Sequence, residues 1–362
     1  MTIDLAAVGA NYRTIRAHAA PARVAAVVKA DAYGLGVGPV AKALVRAGCR
    51  DFFVADLTEA SDLRGRLGGD CDIYVLNGLW AGSEAAAAAA GLTPVLNSLA
   101  QLDRWAGLGR AVGRALPAVL QLDTGMSRLG LEPVDVAALV RSPGRLDGLD
   151  MRYLMSHMAC ADVGDDAVNA RQRAQFESLA AQLPPWPRSL ANSAAALTDQ
   201  LARGDLVRSG LAIYGAVPGP GLRPVVGLSA RVIQVRTVTP GTGVGYGLTY
   251  QARRTEHIAT VGVGYADGWP RALSNRGAAY LGEVRLPIVG QVSMDSMMID
   301  ATELGDRLQA GDAVELIGPN QTLAQAAALA DTIPYELLTR LGRRYARSYR
   351  QDADAAIVGA CA

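Results

Sequence analysis

Lysine is almost missing from this sequence: of its 35 basic residues only Lys29 and Lys42 are lysine, and the rest are arginine. Cysteine is also sparse. Cys49, Cys71, Cys160 and Cys361 lie far apart and make no Cys-x-x-Cys pair, so no disulfide framework and no metal site is expected, and the thiols should be reduced and mostly in the core. Charge of one sign is missing too, with 35 basic against 34 acidic residues and a net charge of +1. With no basic run and no patch of interleaved aromatics, nucleic acid is excluded as a natural partner. No stretch of about 18 consecutive apolar residues occurs, so no membrane span is expected. Met1-Thr-Ile-Asp-Leu5 lacks the basic start and apolar core of a signal peptide, and the expected location is the cytoplasm.

What is present is apolar bulk: half of the 362 residues are hydrophobic and 19% are charged, which requires a folded core, with a length that suggests about two domains. From the start to about residue 220, short apolar or β-branched runs alternate with helix-period segments. Strands are expected to begin near Val24, Phe52, Ile73, Thr93, Ala118, Arg152, Ser189 and Leu206. Eight strands alternating with helices over that length predict an α/β fold, an N-terminal (β/α)8 barrel of the TIM type. The Pro/Gly-rich segment Gly215 to Pro224 then marks a change of texture, after which turn signals separate strand-like runs, including Leu228 to Val238 and a run from Val244 to Tyr250. The expected division is residues 1–222 as the barrel and residues 223–362 as a mostly-β C-terminal domain.

The scarcity of lysine makes each survivor informative. Lys42 lies in the helix-period segment Pro39 to Gly48, where a solvated polar face is sufficient. Lys29 comes directly after Val24-Ala-Ala-Val-Val28, a run typical of a buried parallel strand, so it stands where a strand ends and a loop begins. An ammonium partly desolvated there has a lowered pKa and becomes a nucleophilic, Schiff-base-forming amine, chemistry that arginine cannot perform.

In such a barrel the reactive groups belong in the loops after each strand, with phosphate favoured after the seventh and eighth. Lys29 leads into Ala-Asp-Ala-Tyr33-Gly-Leu-Gly36, read as a glycine-rich turn. The fifth strand leads into Leu122-Asp-Thr-Gly-Met-Ser-Arg128, the sixth ends in Ser156-His157, the seventh in Asn192-Ser193, and the eighth carries Arg208-Ser-Gly210-Leu211. An amine suited to an aldehyde, facing hydroxyl and amide donors suited to a phosphate, points to pyridoxal 5′-phosphate.

At these residues a resemblance becomes specific. Val27-Val-Lys-Ala-Asp-Ala-Tyr-Gly-Leu-Gly36 resembles the cofactor-lysine signature of the alanine racemases, barrel-type pyridoxal-phosphate enzymes. Leu122 to Gly130, Ser156-His157, Asn192-Ser193, Val207 to Gly215, Val244-Gly-Tyr-Gly-Leu-Thr-Tyr250, Val263-Gly-Tyr-Ala-Asp-Gly-Trp269 and Val289 to Asp295 come after it in matching order. The resemblance implies a homodimer that interconverts L- and D-alanine by two-base transfer of the α-proton, making D-alanine as a peptidoglycan precursor or degrading it. It makes Lys29 the cofactor anchor and the base on one face, and Tyr246 of the partner subunit the base on the other. His157 and Arg208 would be the positive neighbours of that phenol, with Arg208 also facing the pyridine nitrogen. Tyr33, Ser193, Gly210 and Leu211 would hold the phosphate. Arg128 with Met294 of the partner subunit would clamp the substrate carboxylate, and Tyr265 would narrow the mouth to a small side chain.

Two positions depart from the family's pattern. Where many members carry a carbamylated lysine that orients the arginine, this chain has Gln121, expected to hold Arg128 through its amide oxygen or to yield that role to a bound anion. Near the C-terminus Arg343 stands where some members place a phosphate-binding tyrosine, so Tyr345 is given no such role. The rival readings are a racemase of broader amino-acid range on the same scaffold and a non-catalytic pyridoxal-phosphate carrier. A barrel aldolase using Lys29 is more distant, and the second-domain site motifs of the related decarboxylases are missing.

Overall fold

The computed structural model describes residues 1–351 apart from residues 165 and 218, so Cys361 and the last part of the expected second domain lie outside the described residues. By contact density the chain forms two units, one of residues 8–32 and 36–223, the other of residues 1–7, 33–35 and 224 onward. Strand β1 (Thr2–Asp4) belongs to the second of these, and composition gave no reason to separate it from the barrel.

The first unit is the expected barrel. Its parallel strands are β2 (Arg23–Val27), β3 (Asp51–Val54), β4 (Asp72–Val75), β5 (Thr93–Leu96), β6 (Leu116–Gln121), β7 (Leu149–Met155), β8 (Arg188–Ser189) and β9 (Leu206–Ser209). They pair in chain order from β2 to β8, while β9 pairs β2. The remaining seam is nearly closed by the Asp205 N–H donating to the Arg188 carbonyl at 2.8 Å and the Arg208 N–H donating to the Ala191 carbonyl at 3.0 Å. Strands covered on both faces read as continuous apolar runs, and Phe52 and Phe53, adjacent in β3 and pointing to opposite faces, are both fully buried. Each contributes about 1.5–3 kcal/mol by leaving water.

Helices return the chain between strands, and their starts are written in the sequence. Asp56, Ser98 and Asn192 each cap a helix, accepting from the Glu59, Gln101 and Ala195 N–H groups. Helix Val37–Arg46 buries Val37, Val40, Ala41 and Leu44, the stripe expected of an amphipathic barrel helix. At the N-terminal end of the barrel Asp51 is buried, accepting from Arg23 at 2.6 Å and from the Tyr74 hydroxyl at 3.1 Å. The opposite end, where the strands finish, carries Lys29, Gln121, His157, Ser193 and Arg208.

The second unit is built on β10 (Val226–Val238), whose 13 residues pair with three neighbours. In chain order the other strands are β11 (Gly243–Val244), β12 (Tyr250–Gln251), β13 (Glu256–Val261), β14 (Ala278–Leu281), β15 (Val284–Pro287), β16 (Met297–Asp300), β17 (Ala313–Ile317) and β18 (Ser348–Arg350). Along one path the sheet runs β15-β14-β17-β10-β1-β18, with β13 joining β10 to β16. The expected continuous strand from Val244 to Tyr250 is corrected. Gly245 and Gly247 take φ of 70° and 69°, and Tyr246–Leu248 form a helical turn between two short strands. That turn lifts Tyr246 out of the sheet instead of pairing it. Among the described residues no helix is long and apolar enough to cross a membrane.

Candidate active site

Lys29 sits one residue beyond the hydrogen-bonded end of β2, where the Val28 N–H donates to the Phe53 carbonyl at 2.8 Å. The next four residues do not form the glycine turn that the sequence suggested. Ala30, Asp31, Ala32 and Tyr33 have φ of 53°, 55°, 54° and 55°, a complete left-handed helical turn made of residues with side chains. Such a conformation costs about 1–2 kcal/mol per residue, and strain of this kind persists only where the surroundings over-determine it. Here Asp31 supplies part of the restraint, its Oδ1 accepting the Val37 N–H at 2.7 Å and its carbonyl the Gly36 N–H at 2.9 Å. The Lys29 amine is held below its ordinary pKa by burial first and by the Arg128 guanidinium second, with Glu59 acting in the opposite direction. A larger fraction is therefore neutral and nucleophilic at physiological pH than for an exposed lysine.

Arg208, on β9, is a buried cation met by neutral groups. Its guanidinium donates to the carbonyls of Ser189 at 2.9 Å, Ser156 at 2.6 Å and Leu190 at 3.3 Å, and to the Ser189 hydroxyl at 2.7 Å. Burial and Arg128 pull its pKa down to about 9, so it keeps its proton at neutral pH. It also lies 3.2 Å from His157 Nδ1. Since a guanidinium only donates, Nδ1 accepts and the ring proton sits on Nε2. Burial, then Arg208, Arg128 and Lys29, hold His157 down to about 3. The expectation of His157 as a positive neighbour is thereby corrected: it is neutral, it offers an Nε2–H donor, and the charge of the pair belongs to Arg208.

Beside these, Ser193 opens helix Ser193–Thr198, and its Oγ accepts the N–H groups of Gly210 at 2.8 Å and Ala212 at 3.3 Å. The turn after β9, containing Gly210 and Leu211, is thus held against Ser193 through two of its amides. Tyr33, grouped with the second unit, is buried and packs on Tyr335 with ring centroids 6.1 Å apart. Burial raises its pKa, which keeps the phenol protonated as a donor.

Arg128 is exposed at the tip of a braced loop. Asp123 Oδ1 accepts the N–H groups of Gly125, Met126 and Ser127 at 2.9, 3.1 and 3.1 Å, and backbone bonds between 121–123 and Leu131 close the loop's base. Gln121 does not hold the guanidinium as expected: its Nε2 donates to the Leu129 carbonyl at 3.2 Å. It fixes the backbone next to Arg128, because the amide is buried at the end of β6. Gln172 was not singled out from sequence. It braces the loop after β7, donating to the His157 carbonyl at 3.1 Å and accepting from the Ala159 N–H at 2.8 Å, and reaches the Thr124 hydroxyl of the Arg128 loop at 3.5 Å, a role that only the fold reveals because it comes from a helix between strands.

In the second unit, Tyr246, Tyr265 and Met294 stand on neighbouring loops and are 75%, 42% and 53% exposed. The Tyr265 and Ala266 N–H groups donate to the Ser293 and Met294 carbonyls, each at 3.0 Å. Gly264 permits this approach, since a Cβ there would lie 2.3 Å from the Ser293 oxygen. Arg344, also missed by sequence, joins Asp267 at 3.1 Å and Asp295 at 2.7 Å and so links both loops. Among the described residues no trio of potential ligands forms a metal site.

The barrel end therefore brings Lys29 and Arg128 near the neutral groups around Arg208, with Glu59 the carboxylate that acts on Lys29. Positive charge at this end suits a phosphate on one ligand and the carboxylate of an amino acid beside it, and a nucleophilic amine suits an aldehyde, so the donor set fits pyridoxal phosphate. Fold and site together define a barrel-type enzyme of amine and carbonyl chemistry with an appended β unit. Two family models match: alanine racemase, N-terminal domain, over residues 3–218, and alanine racemase, C-terminal domain, over residues 225–349. The alanine racemase of Brucella abortus (strain 2308) is 51% identical over 367 residues, spanning 96% of this chain and 93% of that protein. The catabolic alanine racemase of Agrobacterium fabrum is 48% identical over 356 residues, spanning 97% and 92%. The crystal structure of alanine racemase from Bartonella henselae with covalently bound pyridoxal phosphate superimposes with a TM-score of 0.93 at 43% identity, covering 96% of this chain and 98% of that one. The chain belongs to the alanine racemase family.

Proposed function

We propose that the protein is a pyridoxal-phosphate-dependent alanine racemase, an isomerase that interconverts L- and D-alanine. The observation that carries this is the half-buried Lys29 amine, held below its ordinary pKa by burial and by Arg128, at the barrel end that also carries His157 and Arg208. Pyridoxal phosphate, when bound, supplies the electron sink that makes the α-proton of an amino acid removable. Lys29 anchors it and exchanges a proton at Nζ on one face of the substrate α-carbon. Tyr246 of the partner subunit serves the other face through its phenolic oxygen, the His157 Nε2–H is the donor that steadies that oxygen when it is charged, and Arg208 acts on it through His157 Nδ1. Arg208, whose terminal nitrogens are taken by protein acceptors, would offer its Nε–H to the pyridine nitrogen without giving up a proton, which would limit the charge drawn into the ring and favour racemisation over transamination.

Tyr33, Ser193, Gly210 and Leu211 hold the phosphate. Arg128 and Met294 of the partner subunit take the substrate carboxylate, and Tyr265 restricts the side chain. A homodimer is supported by the exposure of Tyr246, Met294 and Tyr265, large side chains that a single chain leaves in water. The free thiols Cys49, Cys71 and Cys160 support a cytoplasmic location. Chiral chromatography of L-alanine, L-serine and L-lysine incubated with the protein and pyridoxal phosphate tests the reading. Fast interconversion confined to alanine is expected, equal rates on all three would assign a broad-range racemase, and no interconversion would leave a cofactor carrier.

A further inference from the structure

Helix Leu57–Leu67 opens with Asp56-Leu-Thr-Glu59, the spacing of a reciprocal cap in which the glutamate would turn back to the N–H of the capping residue. Asp56 performs its half, accepting the Glu59 N–H at 3.0 Å. Glu59 is diverted. Its Oε2 accepts the N–H of Ala55 at 2.8 Å, and its Oε1 reaches the N–H of Ala30 at 2.7 Å. One carboxylate thus bridges the ends of β2 and β3, two strands that already pair at Ala26 with Phe52 and Val27 with Phe53.

The N–H it takes belongs to the peptide joining Lys29 to Ala30, at the entrance of the left-handed turn. An N–H at the start of a helical turn has no partner within the turn, so Glu59 supplies the acceptor that the conformation needs. Fixing that peptide plane fixes ψ of Lys29, and with it the direction in which the side chain leaves the strand. We propose that Glu59 is a positioning residue for Lys29, a strap that holds the strained turn and keeps the amine facing the barrel mouth. The inference rests on the reading of Lys29 as the cofactor anchor.

The holoenzyme variants Glu59→Gln and Glu59→Asp break the bridge in different ways: an amide nitrogen does not accept, and aspartate is one methylene too short to reach both N–H groups. For each, the dissociation constant of pyridoxal phosphate is read from visible absorbance, kcat and KM for alanine are measured separately, and the thermal midpoint is recorded. Both variants are expected to weaken cofactor binding and lower kcat by about tenfold each, with KM within about twofold and most of the protein folded at the assay temperature. Wild-type cofactor affinity and kcat in the folded fraction, with only the thermal midpoint lowered, would overturn the strap. Full recovery in Glu59→Asp would also overturn it, since charge alone would then suffice. Borohydride trapping in a Lys29→Ala control separates the two levels: a pyridoxyl label that survives there sinks the cofactor reading itself, whereas a label that needs Lys29 beside wild-type-like Glu59 variants sinks the strap alone.

Discussion

The two ends of the barrel handle buried charge in opposite ways. At the N-terminal end, Asp51 is answered by Arg23 and by the Tyr74 hydroxyl, although burial still pushes its carboxyl above the usual range. At the C-terminal end, Arg208 is fully buried and Lys29 partly so, with Arg128 nearby. Their charge is met by carbonyls, hydroxyls and a neutral imidazole, apart from the field of Glu59. Arg208 has no acidic partner among the described residues, and a buried cation left so suits a ligand that brings the negative charge. The difference separates residues that stabilise from residues that work.

The sharpest way to break this comparison is to remove one group from each end. Lys29→Ala is expected to lower racemisation by more than about 10⁴-fold and to abolish the borohydride-trapped label on the protein, read by mass spectrometry. Asp51→Ala is expected to cost about 1–2 kcal/mol of unfolding free energy in a urea titration, because the buried Tyr74 hydroxyl loses its acceptor while the half-exposed Arg23 returns to water, with kcat of the folded enzyme within about twofold of wild type. Reversed outcomes would mean that the charge asymmetry has no functional content. Tyr246→Phe should lose about 10²- to 10⁴-fold in rate while retaining the cofactor, because a phenyl ring holds no proton to exchange.

A smaller effect comes from His157. Its folded value of about 3 lies below its ordinary one, so between pH of about 6.5 and about 3 the unfolded chain binds a proton that the folded one refuses. Stability is therefore lost as pH falls through that window, and His157→Gln should flatten the fall in thermal midpoint across it. An unchanged slope would place the imidazole in a more solvated setting than its neighbours suggest. Smallest is Gln121→Ala: losing one hydrogen bond to the loop backbone, worth about 1 kcal/mol, should raise KM for alanine about fivefold with kcat little changed.

Much of the barrel was legible because parallel strands buried on both faces leave apolar runs of the right length. Observed starts at Arg23, Asp51, Asp72, Thr93 and Leu206 fall within a residue of the expected ones, and those at Leu116 and Leu149 within three. Lys29 was legible for a different reason, as a lysine kept in a chain that otherwise uses arginine. The left-handed turn was not, since Ala-Asp-Ala-Tyr carries no local preference for positive φ and is held there by contacts from Glu59 and Asp31. Similarly, Val244 to Tyr250 has strand composition, yet two glycines at positive φ turn it outward. The neutral state of His157 and the bracing by Gln172 and Arg344 depend on groups brought together from distant parts of the chain, which no spacing encodes.

The central claim is that each reactive centre combines Lys29 of one chain with Tyr246 of another, and mixing two inactive variants tests it directly. Lys29→Ala and Tyr246→Phe proteins, unfolded together and refolded, should form mixed dimers with one intact centre, restoring about a quarter of wild-type racemisation at equal input. Recovery at that level is the predicted result. Mixtures that form heterodimers by mass spectrometry yet stay as inactive as either parent would contradict it, placing both bases within a single chain.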